Sequence, residues 1–161
     1  MIQGIYLENL LERKLQEILA LIQQRIMQKT TWMGVPAFKN PYDFWVYQEI
    51  IYQQKPDFII EIGNAIGGTL LALAYLCDII GKGQVIGIDI NHQRIHEKVK
   101  KHPRIVLLEG DACEMFERVK EIINGSSNIL VIEDSSHTYE NTLKVLRTYF
   151  CLIPFWGLFY S

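Results

Sequence analysis

The sequence has few cysteines, no excess of positive charge and no long apolar run. Cys77, Cys113 and Cys151 are far apart and form no Cys-x-x-Cys pair. This spacing argues against a disulfide framework and a zinc site, and is typical of reduced intracellular thiols. The net charge of −2 provides no global positive field for nucleic acid, so no nucleic-acid partner is expected. No apolar run approaches the roughly 20 residues of a membrane span, so none is predicted.

The N-terminal residues carry charges where a secretory signal would be apolar. Glu8, Glu12, Arg13, Lys14 and Glu17 interrupt any hydrophobic core, so no signal peptide is predicted and a cytoplasmic location is expected. The 161 residues, 49% hydrophobic and 21% charged, are enough for one folded domain.

Two helices are predicted before the first strand. In residues 5–28, leucine and isoleucine recur every three or four positions, which predicts an amphipathic helix that packs on the domain or forms a dimer contact. The second helix is predicted over residues 42–54 and ends before Pro56. Residues 1–56 are therefore interpreted as an N-terminal helical cap of the same domain, and a homo-oligomer is expected.

From residue 58 onward, apolar strands alternate with helices. The predicted strands are 58–62, 84–88, 104–108 and 128–133, and the predicted helices are 66–80, 91–101, 112–123 and 138–150. Continuous apolar strands joined by helices predict a parallel sheet with helices on both faces. The predicted fold class is α/β, a Rossmann-like three-layer sandwich with a mostly parallel sheet and an N-terminal helical extension. Residues 57–161 are predicted to form its Rossmann-like core, which would bind a cofactor and is incomplete at the C-terminus.

The last residues, 156–161, have the pattern of a fifth strand that begins as the sequence ends. A sheet that stops there exposes an apolar edge. The expectation is that the terminal strands are missing, so that either another chain covers the edge or the protein is shorter than the domain from which it derives.

Acidic residues follow the predicted strands. Ligands of open α/β sheets bind beyond the carboxyl ends of the strands, and each of the four strands ends in or just before an acid. Buried carboxylates are costly unless something pairs with them, so four at one sheet edge indicate a binding site. These acids are Glu61, Asp89, Asp111 (with Glu109) and Asp134 (with Glu133).

The first of these loops is rich in glycine. Gly63, Gly67 and Gly68 allow a tight turn and a close approach of ligand to the helix start. Their spacing, G-x-x-x-G-G, differs from the dinucleotide pattern G-x-G-x-x-G because Ala65 occupies the place of the middle glycine. Glu61 would repel a phosphate and would suit a cationic amine.

The next two loops suggest an adenosine group. A carboxylate at Asp89, which closes the second strand, can accept both ribose hydroxyls. Asp111, followed by Ala112, lies where an adenine ring would rest. The combination favours S-adenosylmethionine over a dinucleotide. Helix capping or loop hydrogen bonding remains the alternative for Glu61 and Asp89, and helix capping also remains open for Asp111.

The fourth loop contains Asp134 and His137. A carboxylate there could hold Mg²⁺ that orients and polarises a substrate hydroxyl, and a nearby imidazole could take its proton. Both are therefore candidate catalytic residues, with Asp134 also a candidate metal ligand. The alternative is that Asp134 or Ser136 caps the next helix.

These residues together resemble the class I S-adenosylmethionine-dependent methyltransferases. The upstream residues Thr31-Trp-Met-Gly, Lys39-Asn-Pro and Asp43-x-Trp45-x-Tyr47-Gln-Glu49 are similar to the family named for cephalosporin hydroxylase and rhamnosyl O-methyltransferase, over residues 30–155. The resemblance implies methyl transfer to a hydroxyl of a sugar or small metabolite, with Mg²⁺ as a candidate second cofactor. In that family the other metal carboxylates come from a Glu-Asp pair after the fifth strand, which nothing here matches.

Two other functions are compatible with parts of the pattern. The early end of the fifth strand favours a truncated, non-catalytic relative that binds the cofactor or a partner chain. An NAD-linked oxidoreductase would share Asp89, but Ala65 and the acid at Glu61 argue against it.

Overall fold

The structure, a computed structural model, describes residues 13–153 and 159–160. In this range six α-helices and seven strands follow one another along the chain, and a 3-10 helix, Phe150–Leu152, directly follows the last α-helix. The α-helices and strands are α1 (Leu15–Lys29), β1 (Thr31–Trp32), β2 (Val35–Pro36), α2 (Pro41–Gln54), β3 (Phe58–Ile62), α3 (Gly68–Ile80), β4 (Gln84–Asp89), α4 (Glu97–Lys100), β5 (Ile105–Glu109), α5 (Phe116–Ile123), β6 (Ile129–Glu133), α6 (Tyr139–Tyr149) and β7 (Phe159–Tyr160).

Five of the strands form one parallel sheet in the order β5-β4-β3-β6-β7, while β1 and β2 form a separate antiparallel pair. The chain runs outward from β3 to β4 and β5, then returns to place β6 on the other side of β3. In the register, Ile62 pairs with Ile88 on one side and Glu133 on the other, so the strands end together. The strand order therefore reverses beside β3, which is where such sheets bind ligands.

The sheet separates two hydrophobic cores, because successive strand residues point to opposite faces. Ile59 belongs to the core beneath α2 and α3, whereas Ile60 belongs to the core beneath α5 and α6. The first core contains Ile51, Leu70 and Leu71, and the second contains Val119, Val145 and Tyr149. The predicted three-layer sandwich is confirmed.

Most predicted strands agree closely with the structure, but two predicted helices are wrong in extent. Residues 91–101 contain only the short helix α4, because the Asn91 side chain accepts a hydrogen bond from the Gln93 N–H and favours a turn. Residues 112–115 form turns before α5, since the Asp111 carboxylate accepts from the Cys113 N–H.

The predicted elements at the two ends of the chain lie partly outside the described residues. Of the helix predicted over 5–28, residues 5–12 lie outside them, and α1 occupies Leu15–Lys29. Of the fifth strand predicted over 156–161, Phe159–Tyr160 form β7 beside β6, and residues 156–158 and 161 lie outside. Within the described ranges, no helix is long and apolar enough to cross a membrane. The division at residue 56 stays a prediction.

Candidate functional site

A cavity of about 590 Å³ lies at the carboxyl ends of β3, β4, β5 and β6. Residues at or just beyond these strand ends form its floor: Ile62, Asp89, Gly110 and Asp134. The upstream segment, which we define as Pro36, Ala37 and Phe38, also lines the cavity. A volume of this size suits a small molecule or nucleoside cofactor.

Two glycines are required where backbones meet around this cavity. Gly63 has φ +89°, and a Cβ there would lie 2.7 Å from the Cα of Ser135. A Cβ on Gly68 would lie 2.6 Å from the Cβ of Ala37. The first glycine thus lets the β3 loop approach the β6 loop, and the second lets α3 begin against the upstream segment. Both line the cavity, whereas Gly67 does not.

Asp89 lines the cavity and also holds the glycine loop. Its Oδ2 accepts from the N–H groups of Asn64 (2.7 Å) and Ala65 (3.1 Å), and its Oδ1 accepts from the Asn91 N–H. Loop hydrogen bonding, the alternative noted for this residue, is therefore present. The carboxylate is half-buried and still borders the cavity.

Glu61 lies beneath the cavity and is absent from its lining. The side chain is 1% exposed, and its Oε1 has no hydrogen-bond partner within residues 13–153 and 159–160. Burial raises the pKa of Glu61 to about 8, although the nearby Lys39 charge opposes the increase. At neutral pH Glu61 is therefore mainly a neutral carboxylic acid.

Sequence reasoning missed Asn64, which connects these groups. Its Nδ2 donates to the Glu61 carbonyl (3.0 Å), and its Oδ1 lies 3.1 Å from Nε2 of His92. With its own N–H bound to Asp89, Asn64 fixes the turn between β3 and α3. Its place between Gly63 and Gly67 was the available signal, since a polar side chain in a buried turn needs partners.

Asp111 and Ala112 line the far end of the cavity. The Asp111 Oδ1 accepts from the N–H groups of Cys113 and Glu114, and Nζ of Lys144 lies 3.2 Å from Oδ2. Burial alone would raise the pKa of Asp111, but these hydrogen bonds lower it overall, so the carboxylate stays ionised. Asp111 thus caps the turn before α5 and also faces the cavity.

Asp134 is held by a lysine that sequence reasoning noted only as part of an upstream motif. Nζ of Lys39 donates to Oδ2 of Asp134 at 2.5 Å. On the other side, Nε2 of His137 lies 3.7 Å from Oδ1. The His137 side chain is 72% exposed and both residues border the cavity, so the two candidate catalytic residues are together.

Glu133, the neighbour of Asp134, fixes the turn after β6. It is buried, and its Oε1 accepts from the N–H and the hydroxyl of Ser135. Asn141 Nδ2 in turn donates to the Ser135 hydroxyl at 2.7 Å. This network positions the loop that carries Asp134 and His137.

The side chains around Asp134 do not by themselves fit a Mg²⁺ site. Magnesium prefers several oxygen ligands, but among the described residues no three histidine, cysteine or acidic side chains converge. Asp134 offers one carboxylate, and Lys39 already occupies its Oδ2.

The sheet order and the cavity at its switch point define a Rossmann-like domain of the methyltransferase type. The chain matches the family model "Rhamnosyl O-methyltransferase/CmcI" over residues 24–156. It belongs to this family, which confirms the resemblance. Rhamnosyl O-methyltransferases of Mycobacterium leprae and Mycobacterium bovis are 30% and 28% identical to it over 128 residues, or 76% of this chain. The matches cover 55% and 51% of those proteins, so the chain spans about half their length.

Solved structures agree with this assignment. A structure of CmcI with SAH is 29% identical, with a TM-score of 0.61 over 73% of this chain and 58% of CmcI. A structure of CmcI with Mg and SAM is 25% identical, with a TM-score of 0.59 over 73% and 50%. The MycE methyltransferase of mycinamycin biosynthesis, 21% identical with a TM-score of 0.55 over 88% and 38%, shares the fold.

Proposed function

We propose that this chain binds S-adenosylmethionine in the cavity and belongs to an enzyme that transfers its methyl group to a hydroxyl oxygen. One observation carries the proposal: the cavity at the carboxyl ends of β3–β6 has in its wall five residues selected from the sequence for this cofactor. They are Gly63, Gly68, Asp89, Asp111 and Ala112. The CmcI structure with SAH supports the same cofactor.

Each wall residue has a distinct part in this proposal. The glycine turn at Gly63 and Gly68 leaves room for the cofactor, and Asp89 accepts from its ribose hydroxyls. Asp111, beside Ala112, accepts from the adenine amino group. Bound S-adenosylmethionine supplies an electrophilic methyl group, and the chain contributes by holding the acceptor oxygen in line with it.

The acceptor is proposed to be a hydroxyl of a sugar or another small metabolite. The relatives named rhamnosyl O-methyltransferase support a saccharide. His137, which is largely exposed beside Asp134, is proposed to take the hydroxyl proton. The CmcI structure with Mg and SAM supports Mg²⁺ as a second cofactor, for which this chain would contribute only Asp134 among the described residues.

Calorimetric titration of the chain with S-adenosylmethionine and S-adenosylhomocysteine, with and without Mg²⁺, tests the proposal. We expect micromolar binding of both compounds and none of NAD⁺. Binding of NAD⁺ alone would favour the oxidoreductase. If none of the three compounds binds, the cofactor site is contradicted, and a non-catalytic interaction module becomes the better interpretation.

Self-association is proposed on separate grounds. Four apolar side chains of α1 are more than a third exposed: Leu15, Leu19, Leu21 and Ile22. A second copy would cover them, so multi-angle light scattering is expected to give at least twice the chain mass, and Leu19→Lys should reduce it.

A cytoplasmic location also remains a prediction from the sequence.

A further inference from the structure

Lys39 is a buried cation that the proposed function does not use. It lies in the loop between β2 and α2, and the residue is 8% exposed. Its partner Asp134 is 95 residues further along the chain. Nζ also lies 5.7 Å from the centre of the Tyr47 ring.

The lysine is charged in spite of its burial. Burial alone would lower the pKa of Lys39, but the hydrogen bond to Asp134 and the negative charge of that carboxylate raise it overall. A buried ammonium is costly unless a carboxylate accepts from it, and removing one partner leaves the other charge uncompensated. The Lys39–Asp134 pair is therefore a strong link between two distant parts of the chain.

That link joins two segments that contribute to the cavity lining and lie far apart in the sequence. Lys39 directly follows the upstream segment, Pro36–Phe38, which is itself anchored where the Ala37 N–H donates to the Thr30 carbonyl at 3.0 Å. Asp134 belongs to the strand-end side of the same cavity. The single ion pair therefore fixes how far the upstream segment lies from β6, and it orients the Asp134 carboxylate.

We propose that Lys39 is a positioning residue of the cofactor cavity, acting through Asp134 to hold the upstream segment against the end of β6. The inference rests on the proposed function, because its consequence is measured as cofactor affinity. Misplacing a cavity wall by a fraction of an ångström weakens contacts made across it. Lys39→Met is therefore expected to weaken binding of S-adenosylhomocysteine by about tenfold.

The experiment compares calorimetric affinities for S-adenosylhomocysteine well below the unfolding temperature of each variant. Lys82→Met is the matched control, because it removes a lysine that pairs with Asp57 at 2.9 Å outside the cavity lining. That variant is expected to bind as the original chain does. The double variant Lys39→Met/Asp134→Asn removes both charges, so it avoids an unpaired buried charge and stays folded if the single variant does not.

The two residues act as one unit if the losses of affinity do not add. We expect Lys39→Met, Asp134→Asn and the double variant to lose affinity to a similar extent. If Lys39 has only a structural role, its replacement lowers the unfolding temperature and leaves the affinity of the folded chain unchanged. That result would overturn this inference but not the proposed function. If the original chain does not bind S-adenosylhomocysteine, the proposed function and this inference both fail.

Discussion

Glu61 is a carboxyl group that folding places entirely away from water. Its pKa rises from an ordinary value of 4.5 to about 8 in the folded chain, so between these values the folded state binds more protons than the unfolded state. The free energy of unfolding must then fall as pH rises through this window, by up to about 1.4 kcal/mol per pH unit. The contribution of Glu61 is fully present below pH 4.5 and is lost above about pH 8.

Glu61→Gln tests this sign, because the amide has nearly the same shape and no charge. Between pH 5 and 8, the free energy of unfolding of the variant is expected to fall less steeply than that of the original chain. The variant therefore becomes more stable relative to the original chain as pH rises. Urea unfolding at several pH values measures the free energy of unfolding of both chains. The contributions of the other titrating groups are the same in both and cancel in the difference. Parallel curves would mean that Glu61 is ionised in the folded chain throughout the window.

His137 adopts a left-handed backbone conformation, with φ +53°. For a residue with a Cβ this conformation costs about 1 kcal/mol, and such strain is often found at functional sites. His137→Gly is expected to raise the free energy of unfolding by about 1 kcal/mol, since the exposed imidazole contributes little through its 3.7 Å contact with Asp134. Denaturant unfolding measures the change.

Lys55→Gly provides a matched control for His137→Gly. Lys55 has φ +47° at the end of α2 and does not line the cavity, so a similar gain in stability is expected there. Under the proposed function, only His137→Gly also slows methyl transfer. A loss of stability in His137→Gly alone would show that the imidazole makes stronger contacts than its exposure suggests.

At the scale of the elements, strands were predicted better than helix starts. β3 occupies residues 58–62 as predicted, because Pro56 and the glycine turn define where the apolar run can begin and end as a strand. The helix predicted over 91–101 failed at its start, where local hydrogen bonds of Asn91 and His96 replace helical ones. Hydrophobic spacing cannot show such competition between a side chain and the backbone.

The location of the candidate site could be predicted from the sequence, but the directions and partners of its side chains could be predicted only in part. Strand ends indicated Asp89, Asp111 and Asp134, which line one cavity. The alternation of strand residues could have shown that Glu61 faces away from Ile60 and Ile62, toward the α2–α3 layer. The pairing of Lys39 with Asp134 could not be read from one sequence, because nothing local relates positions 95 residues apart.

The junction of α3 with the upstream segment depends on the absence of a side chain at Gly68. A Cβ there would lie 2.6 Å from the Ala37 Cβ, so Gly68→Ala must displace the segment. We expect a loss of about 1–3 kcal/mol in stability, measured by urea unfolding, together with weaker S-adenosylhomocysteine binding. Gly81→Ala is the contrast, since Gly81 has φ +71° but open space around it. It should cost about 1 kcal/mol and leave binding unchanged.

If Gly68→Ala left both stability and affinity as they are, the upstream segment would have to be free to move away from α3. That result would also weaken the case for a wall held in place by Lys39.

For the molecule as a whole, the cavity is the place where segments distant in the sequence meet. Four strands of the sheet, the start of α3, the turn before α5 and the upstream segment all contribute to its wall. The two hydrophobic cores stabilise opposite faces of the sheet, and the second core reaches this edge, because Ile62, Ile88 and Val145 also line the cavity. A ligand that fills the cavity therefore contacts this core as well as the surrounding loops, and its binding should stabilise the folded chain.

The size of this stabilisation follows from mass action. A ligand that binds only the folded chain adds about 2.7 kcal/mol at a concentration of 100 times its Kd. In a chain of 161 residues this corresponds to an increase of about 5–10 °C in Tm. We expect S-adenosylhomocysteine to give this increase in a thermal melt followed by circular dichroism, and NAD⁺ to give none. The increase should grow with the logarithm of concentration, and no increase in Tm at 100 times the Kd measured by calorimetry would contradict selective binding to the folded chain.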